Sequence, residues 1–588
     1  MQDAVIDPHE SAGAAPFVVA IGGHRDLHPD DIGAVGERLY EALQLVAASL
    51  PHTTLDCLSP LADGADQLFA AQVLRLRAAA ERPERIRLLV PLPMPLAQYC
   101  AEQGGADGAA FAARIAPFLQ AAACVFTIPQ LELDATAGTA PSAANAPYAR
   151  LVRYLALHAQ LVIAVWDGQP TPLAPGGTLD LVNTRVHGFD RCHARRSAAR
   201  LAPPQCGSVL HVHTRRARDG PAALAPAATV PLRALAPAGQ GGDARACIRA
   251  AGAELDALNR QHHAMLAAGA GAYRARLAAA RADLLASLAP AAAPDAALAA
   301  LVSSFAVADV QAAHAKRRWR RCWVAIALAA VLAASSSLMR LLSDEFGDLI
   351  ETLCYAGGAA AAVGTYLWVA RSGRANAYLC YRALAEGLRV QLYWQAAGSA
   401  ELVSDHYLIK QRDDAGWVRA ALDALTLRQA GAPQPPARVA RGWIDAQLAY
   451  LDGPHMLLRQ RQQGRSTAWG RRLLAAGLVC ALAGIVLVLQ GAMRSAWLLV
   501  LIIIGMKLLT DVGAAWLSFN GKMAHQETLR QAGHLRAAYR RADRALRAAG
   551  EDGEDAADLL SALGKEVLDE NANWLRLYLE RRMSWHDK

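Results

Sequence analysis

The sequence predicts an α/β domain with a doubly wound parallel sheet, followed by an all-α membrane region. Two observations indicate this fold class. Across residues 16–215, short apolar runs alternate with stretches of helical periodicity, which is typical of parallel strands covered on both faces. In the second half of the chain, four apolar stretches are each long enough to cross about 30 Å of hydrocarbon.

Six candidate strands are apolar nearly throughout. They begin at Phe17 (FVVAIGG), Thr53 (TTLDCLSPL), Ile86 (IRLLVPL), Cys124 (CVFTIP), Gln160 (QLVIAVWDG) and Val209 (VLHVHT). Helical periodicity lies between them, for example over Ile32–Val46 and Asp66–Leu76, so the pattern predicts a Rossmann-like domain over 16–215. Residues 216–245 are rich in Pro, Ala and Gly and are expected to form a loop that ends the sheet. The polar residues 1–15 are expected to be disordered.

The four apolar stretches are predicted to form two hairpins with helical regions around them. The candidate spans are Trp323–Leu342, Ile350–Ala370, Leu473–Met493 and Ala496–Phe519. The corresponding segments are a helical connector (246–321), hairpins at 322–371 and 471–519, and cytoplasmic helices at 372–470 and 520–588. A soluble bundle with long buried helices is the alternative. Uncharged runs of about 20 residues favour the membrane.

The basic residues beside the spans predict their orientation. Lys/Arg clusters precede the first and third spans and follow the second and fourth, whereas the loop between the first two spans is acidic. An excess of Lys and Arg stays on the cytoplasmic side, so both termini are expected in the cytoplasm. Heavy use of Ala and Arg indicates a GC-rich bacterial genome, and the expected location is therefore the bacterial inner membrane, with several passes.

Composition limits the other classes of function. The net charge of +8 over 588 residues comes largely from arginines beside the spans, and the soluble half has no basic stripe interleaved with aromatics, so nucleic acid is not an expected partner. The ten cysteines contain no CxxC pair, which suits a reducing compartment. A histidine and cysteine cluster could supply zinc ligands, but its spacing matches no closed zinc pattern, and ordinary strand and loop residues are the favoured interpretation. Its members are His187, Cys192, His193, Cys206, His211 and His213.

Three loops at the carboxyl ends of predicted strands carry residues suited to an anionic ligand. Ligands bind at this edge of open α/β sheets, where glycine turns and helix N-termini offer backbone N–H groups and arginine can bind an anion through two hydrogen bonds. Turn geometry and helix capping explain each loop taken alone. The candidate ligand-binding residues are Gly22, Gly23, His24 and Arg25 after the first strand; Ser59, Asp63, Gly64, Ala65 and Asp66 after the second; and Asp167, Gly168, Gly176, Gly177 and Thr178 after the fifth.

The motifs IGGHRDL, LSPLADGADQL and VWDGQP…PGGTLDLV resemble the SLOG superfamily over residues 16–215. These are Rossmann-like nucleotide-ligand domains related to the LOG enzymes and to DprA. Catalytic LOG relatives carry PGGxGTxxE, with a glutamate three residues after the threonine. Counted from Thr178, that position is Leu181 here, and Asp180 lies one position earlier. The resemblance therefore implies binding rather than hydrolysis, with a nucleotide-derived ligand and no catalytic residue.

The remainder is similar to the SLATT family of membrane modules that associate with SLOG domains. The stretches that carry this similarity are FAVADVQAAHAKRRWRR, RALAEGLRVQLYWQAAG and LGKEVLDENANWLRLYLERR. The resemblance implies a role in bacterial conflict or antiphage defence, with a signal that triggers membrane damage. SLATT units typically have one hairpin, and this chain is predicted to have two.

Lys507 and Asp511 lie near the middle of the fourth predicted span. Ionisable groups inside a membrane are costly and are often functional, so the pair is a candidate for a pore or an oligomer contact. Snorkelling or simple pairing between the two residues, which are four positions apart, is the structural alternative.

The leading hypothesis is a ligand-gated membrane effector, which acts as a homo-oligomer in the lipid bilayer and responds to a nucleotide-derived second messenger. A membrane-tethered nucleotide or nucleoside hydrolase is a second hypothesis, in which Asp63, Asp66 or Asp180 would act as acid or base. A non-gated scaffold or transporter is the third.

Overall fold

The computed structural model describes residues 14–104, 107–129, 145–170, 175–188, 206–218, 224–236, 242–268, 270–288, 294–336, 338, 347–371, 374–428, 431–489, 496–522, 525–549 and 554–580. The chain forms two compact units. The first comprises Met1–Ala308 and Ala383–Pro435, and the second comprises Asp309–Arg382 and Pro436–Lys588. These limits fall within the predicted helical connector and cytoplasmic segments rather than at their ends.

The first unit contains a sheet of seven strands, six of which are parallel. The strands are β1 (Phe17–Gly23), β2 (Leu55–Leu58), β3 (Ile86–Leu92), β4 (Cys124–Thr127), β5 (Leu161–Trp166), β6 (Ser208–His213) and β7 (Arg233–Leu235). The central strands are buried along most of their length, as their apolar sequences predict. The parallel sheet predicted from the six apolar runs is confirmed.

The strand order is β4-β3-β2-β1-β5-β6-β7. The chain therefore winds outward in one direction from β1 to β4, then returns to pair β5 with the other side of β1. In register, Val19 lies beside Cys57 of β2 and Leu161 of β5. The order reverses between β1 and β5, and the carboxyl ends of these two strands form the crevice in which ligands bind in open α/β sheets.

Two details differ from the prediction. Strand β7 lies in the segment expected to be a loop, where it pairs antiparallel with β6. Ala14 and Ala15, expected in a disordered tail, are buried, because the Asn259 side chain accepts a hydrogen bond from Ala14 N and donates one to Ala15 O. Residues 1–13 of the predicted tail lie outside the described residues.

Helices of the first unit surround this sheet. They are α1 (Ile32–Ser49), α2 (Ala65–Ala79), α3 (Leu96–Gly104), α4 (Gly108–Ala121), α5 (Ala146–His158), α6 (Thr178–His187), α7 (Ala244–Ala268), α8 (Ala270–Leu288), α12 (Val403–His406) and α13 (Arg412–Leu425). Two further helices, α9 (Ala296–Ser335) and α11 (Arg374–Ala396), contribute residues to both units.

Helix α13 belongs to the core of the sheet unit, although the sequence placed it in a separate cytoplasmic region. Ala424 and Leu427 pack in the same apolar cluster as residues of β1 and β5. Two buried side chains also bond its backbone, since His158 Nδ1 lies 2.6 Å from Asp423 O and Gln160 Nε2 donates to Ala420 O at 2.8 Å.

All described elements of the second unit are helices. Besides parts of α9 and α11, they are α10 (Gly347–Arg371), α14 (Pro436–Asp452), α15 (Pro454–Leu489), α16 (Ala496–Lys522), α17 (His525–Ala549) and α18 (Glu554–Glu580). Helices α15 and α16 pack closely in opposite directions. A Cβ at Gly477 would lie 2.6 Å from Thr510 Cγ2, and one at Gly484 would lie 3.3 Å from Ile502 Cγ2. Small residues in α15 thus allow the two helices to approach closely.

Among the described residues, three helices are long and apolar enough to cross a membrane: Ala296–Ser335, Gln460–Leu489 and Trp497–Gly521. They differ in exposure. The most apolar 18-residue stretch of α9 is 61% buried within the protein, whereas the corresponding stretches of α15 and α16 are each 6% buried. Apolar side chains left this exposed are typical of helices that lie in lipid.

Helix α10 contains the predicted span Ile350–Ala370 but is not one of these three helices. The four-span arrangement therefore stays a prediction. The ends of two other predicted spans, residues 339–342 and 490–493, lie outside the described part of the chain.

Candidate functional site

The first predicted loop lies at the point where the strand order reverses. His24 N donates to Val165 O of β5 at 3.1 Å, and His24 O accepts from Ala65 N at the start of α2 at 3.2 Å. The β1 loop is therefore hydrogen-bonded to β5 on one side and to the second predicted loop on the other. Gly23 also closely approaches Ala65, and a Cβ added to this glycine would lie 2.9 Å from Val165 Cβ.

The His24 imidazole pairs with the loop that follows β5. Its Nε2 lies 3.4 Å from Asp167 Oδ1 and accepts a hydrogen bond from Asp167 N at 3.3 Å. Burial lowers the pKa of His24 below its usual range, against the raising effect of Asp167. A neutral imidazole that accepts at Nε2 fits this geometry. Asp167 also accepts from Gln169 N at 3.0 Å, which shapes the turn at Gly168 (φ 77°).

The second loop has an unusual backbone. Ser59 Oγ accepts from Leu61 N at 3.3 Å and donates to Asp66 O at 2.8 Å. This buried hydroxyl holds Leu61 in the left-handed region at φ 61°, which costs a non-glycine residue about 1–2 kcal/mol. Gly64 has φ 80°, and a Cβ there would lie 2.5 Å from Arg25 O. Only glycine permits the two loops to approach this closely.

Asp66, at the start of α2, is the most perturbed carboxyl of the crevice. Its side chain is 8% exposed, and burial raises its pKa to about 7, against the lowering effects of Arg25 and the Ala62 N–H. The negative charge also interacts with the buried phenol of Tyr99, whose pKa is raised mainly by burial. A carboxyl group that titrates near neutral pH beside a cation is a typical feature of functional sites.

Arg25 is exposed at this edge of the sheet. Its guanidinium lies 5.1 Å from the centroid of the Tyr148 ring, and the Tyr148 hydroxyl accepts from Gln103 Nε2 at 2.6 Å. The backbone of Tyr148 also lies against Gly176 of the third loop. Tyr148 therefore connects Arg25 to the glycine turn. Sequence reasoning missed Tyr99 and Tyr148 because both come from helices rather than from strand ends.

Asp63 is engaged in a different way. Its Oδ1 accepts from Gln67 Nε2 at 2.9 Å and from Arg114 Nη2 at 3.0 Å. The Asp63 and Arg114 side chains are 40% and 49% exposed, so their ion pair contributes little to stability. Asp63 faces the outer side of the loop, where it braces the turn.

The third loop uses its own carboxylate to close its turn. Asp180 Oδ2 accepts from Gly176 N at 2.9 Å, and Asp180 Oδ1 accepts from Thr184 Oγ1 at 3.3 Å. Asp180 therefore satisfies a backbone donor that a ligand would otherwise use. Gly177 is the N-cap of α6 and Thr178 its first residue, so their N–H groups are the ones placed at the helix N-terminus.

Leu181 lies three residues after Thr178, in the first turn of α6. It is 2% exposed and packs against Gly22, so closely that a Cβ on this glycine would overlap Leu181 Cδ2. The side of the crevice between β1 and α6 is filled by this leucine. The three loops nevertheless meet, because the first contacts the second through His24 and Ala65, and the third through Gly22 and Leu181.

Of the predicted histidine and cysteine cluster, His211 borders the third loop, since a Cβ at Gly168 would lie 3.9 Å from its Cε1 atom. His211 Nε2 lies 2.9 Å from Trp166 O and His213 Nε2 lies 3.0 Å from Ala225 O, as expected for ordinary strand residues. No metal-binding group of three ligands occurs among the described residues, and Cys192 and His193 lie outside them.

The predicted membrane pair is in contact within the second unit. Lys507 Nζ lies 3.9 Å from Asp511 Oδ2, which also accepts from Ser335 Oγ of α9 at 3.2 Å. This hydrogen bond connects α16 to the end of α9.

Comparison with protein-family models, characterised proteins and solved structures finds no match to this chain.

Proposed function

We propose that this chain is a membrane effector that binds a nucleotide-derived signal at the β1/β5 crevice and, in response, opens or disrupts a bacterial inner membrane. The observation that carries the proposal is the meeting of three glycine-containing loops at the reversal of strand order, with Arg25 beside them. Backbone N–H groups, a helix N-terminus and an exposed guanidinium are the groups that bind phosphate. The SLOG and SLATT resemblances support the same function in antiphage defence.

The second unit supplies the membrane part of the proposal. The exposed apolar surfaces of α15 and α16 support a hairpin in the bilayer, and the close contact of Gly358 of α10 with Ala329 and Ala333 of α9 supports a second one. The Lys and Arg clusters beside the spans support an orientation with both termini in the cytoplasm. In a homo-oligomer the Lys507–Asp511 pair would line or stabilise the opening.

The proposal is tested by measuring membrane potential in cells that express the chain and receive a panel of cyclic and ADP-ribose-type nucleotides. We expect depolarisation with one class of nucleotide. Arg25→Gln should abolish the response because it removes the cation of the crevice. Arg75→Gln is a matched control, since Arg75 also lies over a tyrosine ring, at 4.0 Å from the centroid of Tyr40, but on the outer surface of α2. An unchanged potential across the whole panel would refute the effector function.

A hydrolase is the second candidate, and Asp66 is the observation that favours it. A carboxyl with a pKa of about 7 can act as a general acid or base at neutral pH. Asp180 is committed to its own helix and Asp63 to Arg114, so Asp66 is the carboxyl available for catalysis. Product release from nucleoside monophosphates by the full chain, lost in Asp66→Asn but retained in Asp63→Asn, would establish this function. If calorimetry detects no nucleotide binding at all, the chain is instead a scaffold or transporter.

A further inference from the structure

A cavity of about 140 Å³ lies at the amino-terminal end of the sheet, at the opposite edge from the crevice. Its walls come from the residues just before β1, from β2, β3 and the start of β4, from the first turns of α9, and from the end of α13 with the residues that follow it. At about 30 Å³ per water molecule, the space equals about five waters. It is too small for a nucleotide, since sites for ligands of that size measure roughly 300–1,000 Å³.

Two arginines line this cavity, and only one of them is paired with a carboxylate among the described residues. Arg87 pairs with Asp56 through two hydrogen bonds of 2.6 and 2.8 Å, so these two charges cancel. Arg428 has a different partner, because its Nη1 donates to Cys124 Sγ at 3.7 Å. A thiol is a weak acceptor, and within the part of the chain that the structure describes this positive charge has no carboxylate partner.

Two serine hydroxyls from α9 complete the polar lining. Ser303 and Ser304 line the cavity and are 9% and 5% exposed. Neither hydroxyl has a hydrogen-bond partner among the described residues, and neither oxygen is fully buried, so both are accessible from the cavity. These two hydroxyls are therefore donors that an anion beside Arg428 would satisfy. The remaining lining is largely alanine and leucine.

The walls of the cavity are fixed before any ligand arrives. Asp295 accepts from Leu298 N at 2.9 Å and also from Gly431 N, which joins the start of α9 to the segment after α13. The end of α13 is held on the sheet by hydrogen bonds from Tyr154 and Gln160. A preorganised cavity of this kind loses little entropy when a ligand binds.

We propose that this cavity binds a small oxyanion, a phosphate or a compact carboxylate, between Arg428 and the two serine hydroxyls. The oxyanion accepts hydrogen bonds from the guanidinium and from both hydroxyls, and the alanine and leucine walls limit its size. Because Ser303 and Ser304 belong to α9, binding pins the first turns of that helix to the sheet. This site is separate from the crevice and does not depend on the function proposed for it.

Cys124 provides a direct measurement of occupancy in the full chain. Its sulfur is half-buried at the cavity, next to Arg428, so a bound anion should shield it from alkylation. The rate of N-ethylmaleimide labelling of Cys124 is followed by peptide mass spectrometry, with inorganic phosphate or acetate added at constant ionic strength. The half-buried Cys100, on α3, is the internal reference. At twice the dissociation constant we expect labelling of Cys124 to slow about threefold, and Cys100 to be unaffected.

Variants separate this site from a general salt effect. Arg428→Gln should remove the protection, whereas Arg82→Gln, at a surface arginine paired with Glu84, should retain it. Ser304→Ala, a milder change, should weaken it. Protection by phosphate alone identifies the occupant as a phosphate, and protection by acetate as well identifies a general oxyanion site. The proposal would be overturned if Cys124 were labelled at the same rate with and without either anion up to about 50 mM, a concentration far above the dissociation constant of a useful site. It would also be overturned if the protection persisted in Arg428→Gln.

Discussion

The Asp66 carboxyl allows the electrostatics of the crevice to be tested without knowledge of the ligand. Burial raises its pKa to about 7 in the folded chain, whereas an unfolded chain titrates aspartate near ~3.9. Between these two values the folded chain holds a proton that the unfolded chain has released. The free energy of unfolding therefore falls as pH rises from about 4 to about 7, and the loss is complete above pH 7.

The size of this effect follows from the width of the interval. Each pH unit costs about 1.4 kcal/mol until the folded-state pKa is approached, so the loss from Asp66 between pH 5 and pH 8 is about 3 kcal/mol. Asp66→Asn removes the loss because an amide does not titrate. Any change in the free energy of unfolding that Asp66→Asn causes for other reasons is the same at each pH. The free energy of unfolding is therefore compared between Asp66→Asn and the parent at each pH. The part of this difference that changes with pH comes from Asp66 alone.

The assay is thermal unfolding of the full chain in detergent, followed by tryptophan fluorescence from pH 5 to pH 8. At about 2 °C per kcal/mol, the melting temperature of Asp66→Asn should gain about 6 °C on the parent across this range. Asp63→Asn removes a carboxylate from the same loop and is the control for that loss, because the Asp63 side chain is 40% exposed. A difference between Asp66→Asn and the parent that does not change with pH would refute the buried, uncharged carboxyl.

Three further predictions concern the loops and the helices. Gly64→Ala should destabilise the chain by about 2–3 kcal/mol, because φ is 80° and the new Cβ would meet a backbone carbonyl at 2.5 Å. Gly33→Ala, in a helix with open space around the new Cβ, should be neutral or stabilising in the same melting experiment. Gly477→Leu should separate α15 from α16 and lower the melting temperature in detergent, whereas Gly464→Leu in the same helix, where nothing lies within 4 Å of the new Cβ, should not. Asp511→Asn should reduce ligand-induced depolarisation about tenfold with normal membrane insertion; an unchanged response, with insertion checked by immunoblotting of membranes, would make the Asp511 contact purely structural.

The parallel sheet could be predicted because apolar strands and periodic helices are local patterns. Strand β7 could not be predicted, since three residues, Arg233–Leu235, show no alternation and are held in place by pairing with β6. The docking of α13 on the sheet was also beyond sequence reasoning. It depends on Gln160 and His158, which meet the α13 backbone more than 250 residues away in the chain.

In the candidate site, too, the features that follow from local sequence patterns could be predicted, and those that depend on distant contacts could not. Strand-end loops could be identified from the order of apolar runs and glycines, and the structure brings the three loops together. Their internal contacts could not be identified, because they arise between side chains distant in sequence. Leu181 fills the space beside Gly22, and Tyr148 joins Arg25 to the third loop. A tyrosine on an amphipathic helix gives no signal that distinguishes it from a core residue.

The electrostatic influence of Arg25 on Asp66 determines how the crevice would respond to an anion. Arg25 is the charged group that favours ionisation of Asp66, and a phosphate bound to Arg25 would offset that influence. Asp66 would then take up a proton near neutral pH, which removes the negative charge that opposes the phosphate. By linkage the proton and the phosphate strengthen each other's binding. For a phosphodiester, whose own charge does not change between pH 8 and pH 6, affinity at this crevice should therefore rise as pH falls across this range, and Asp66→Asn should bind it equally well at both. At high pH the ionised Asp66 thus opposes the binding of an anion to the empty crevice, and it becomes neutral by taking up a proton when the anion binds.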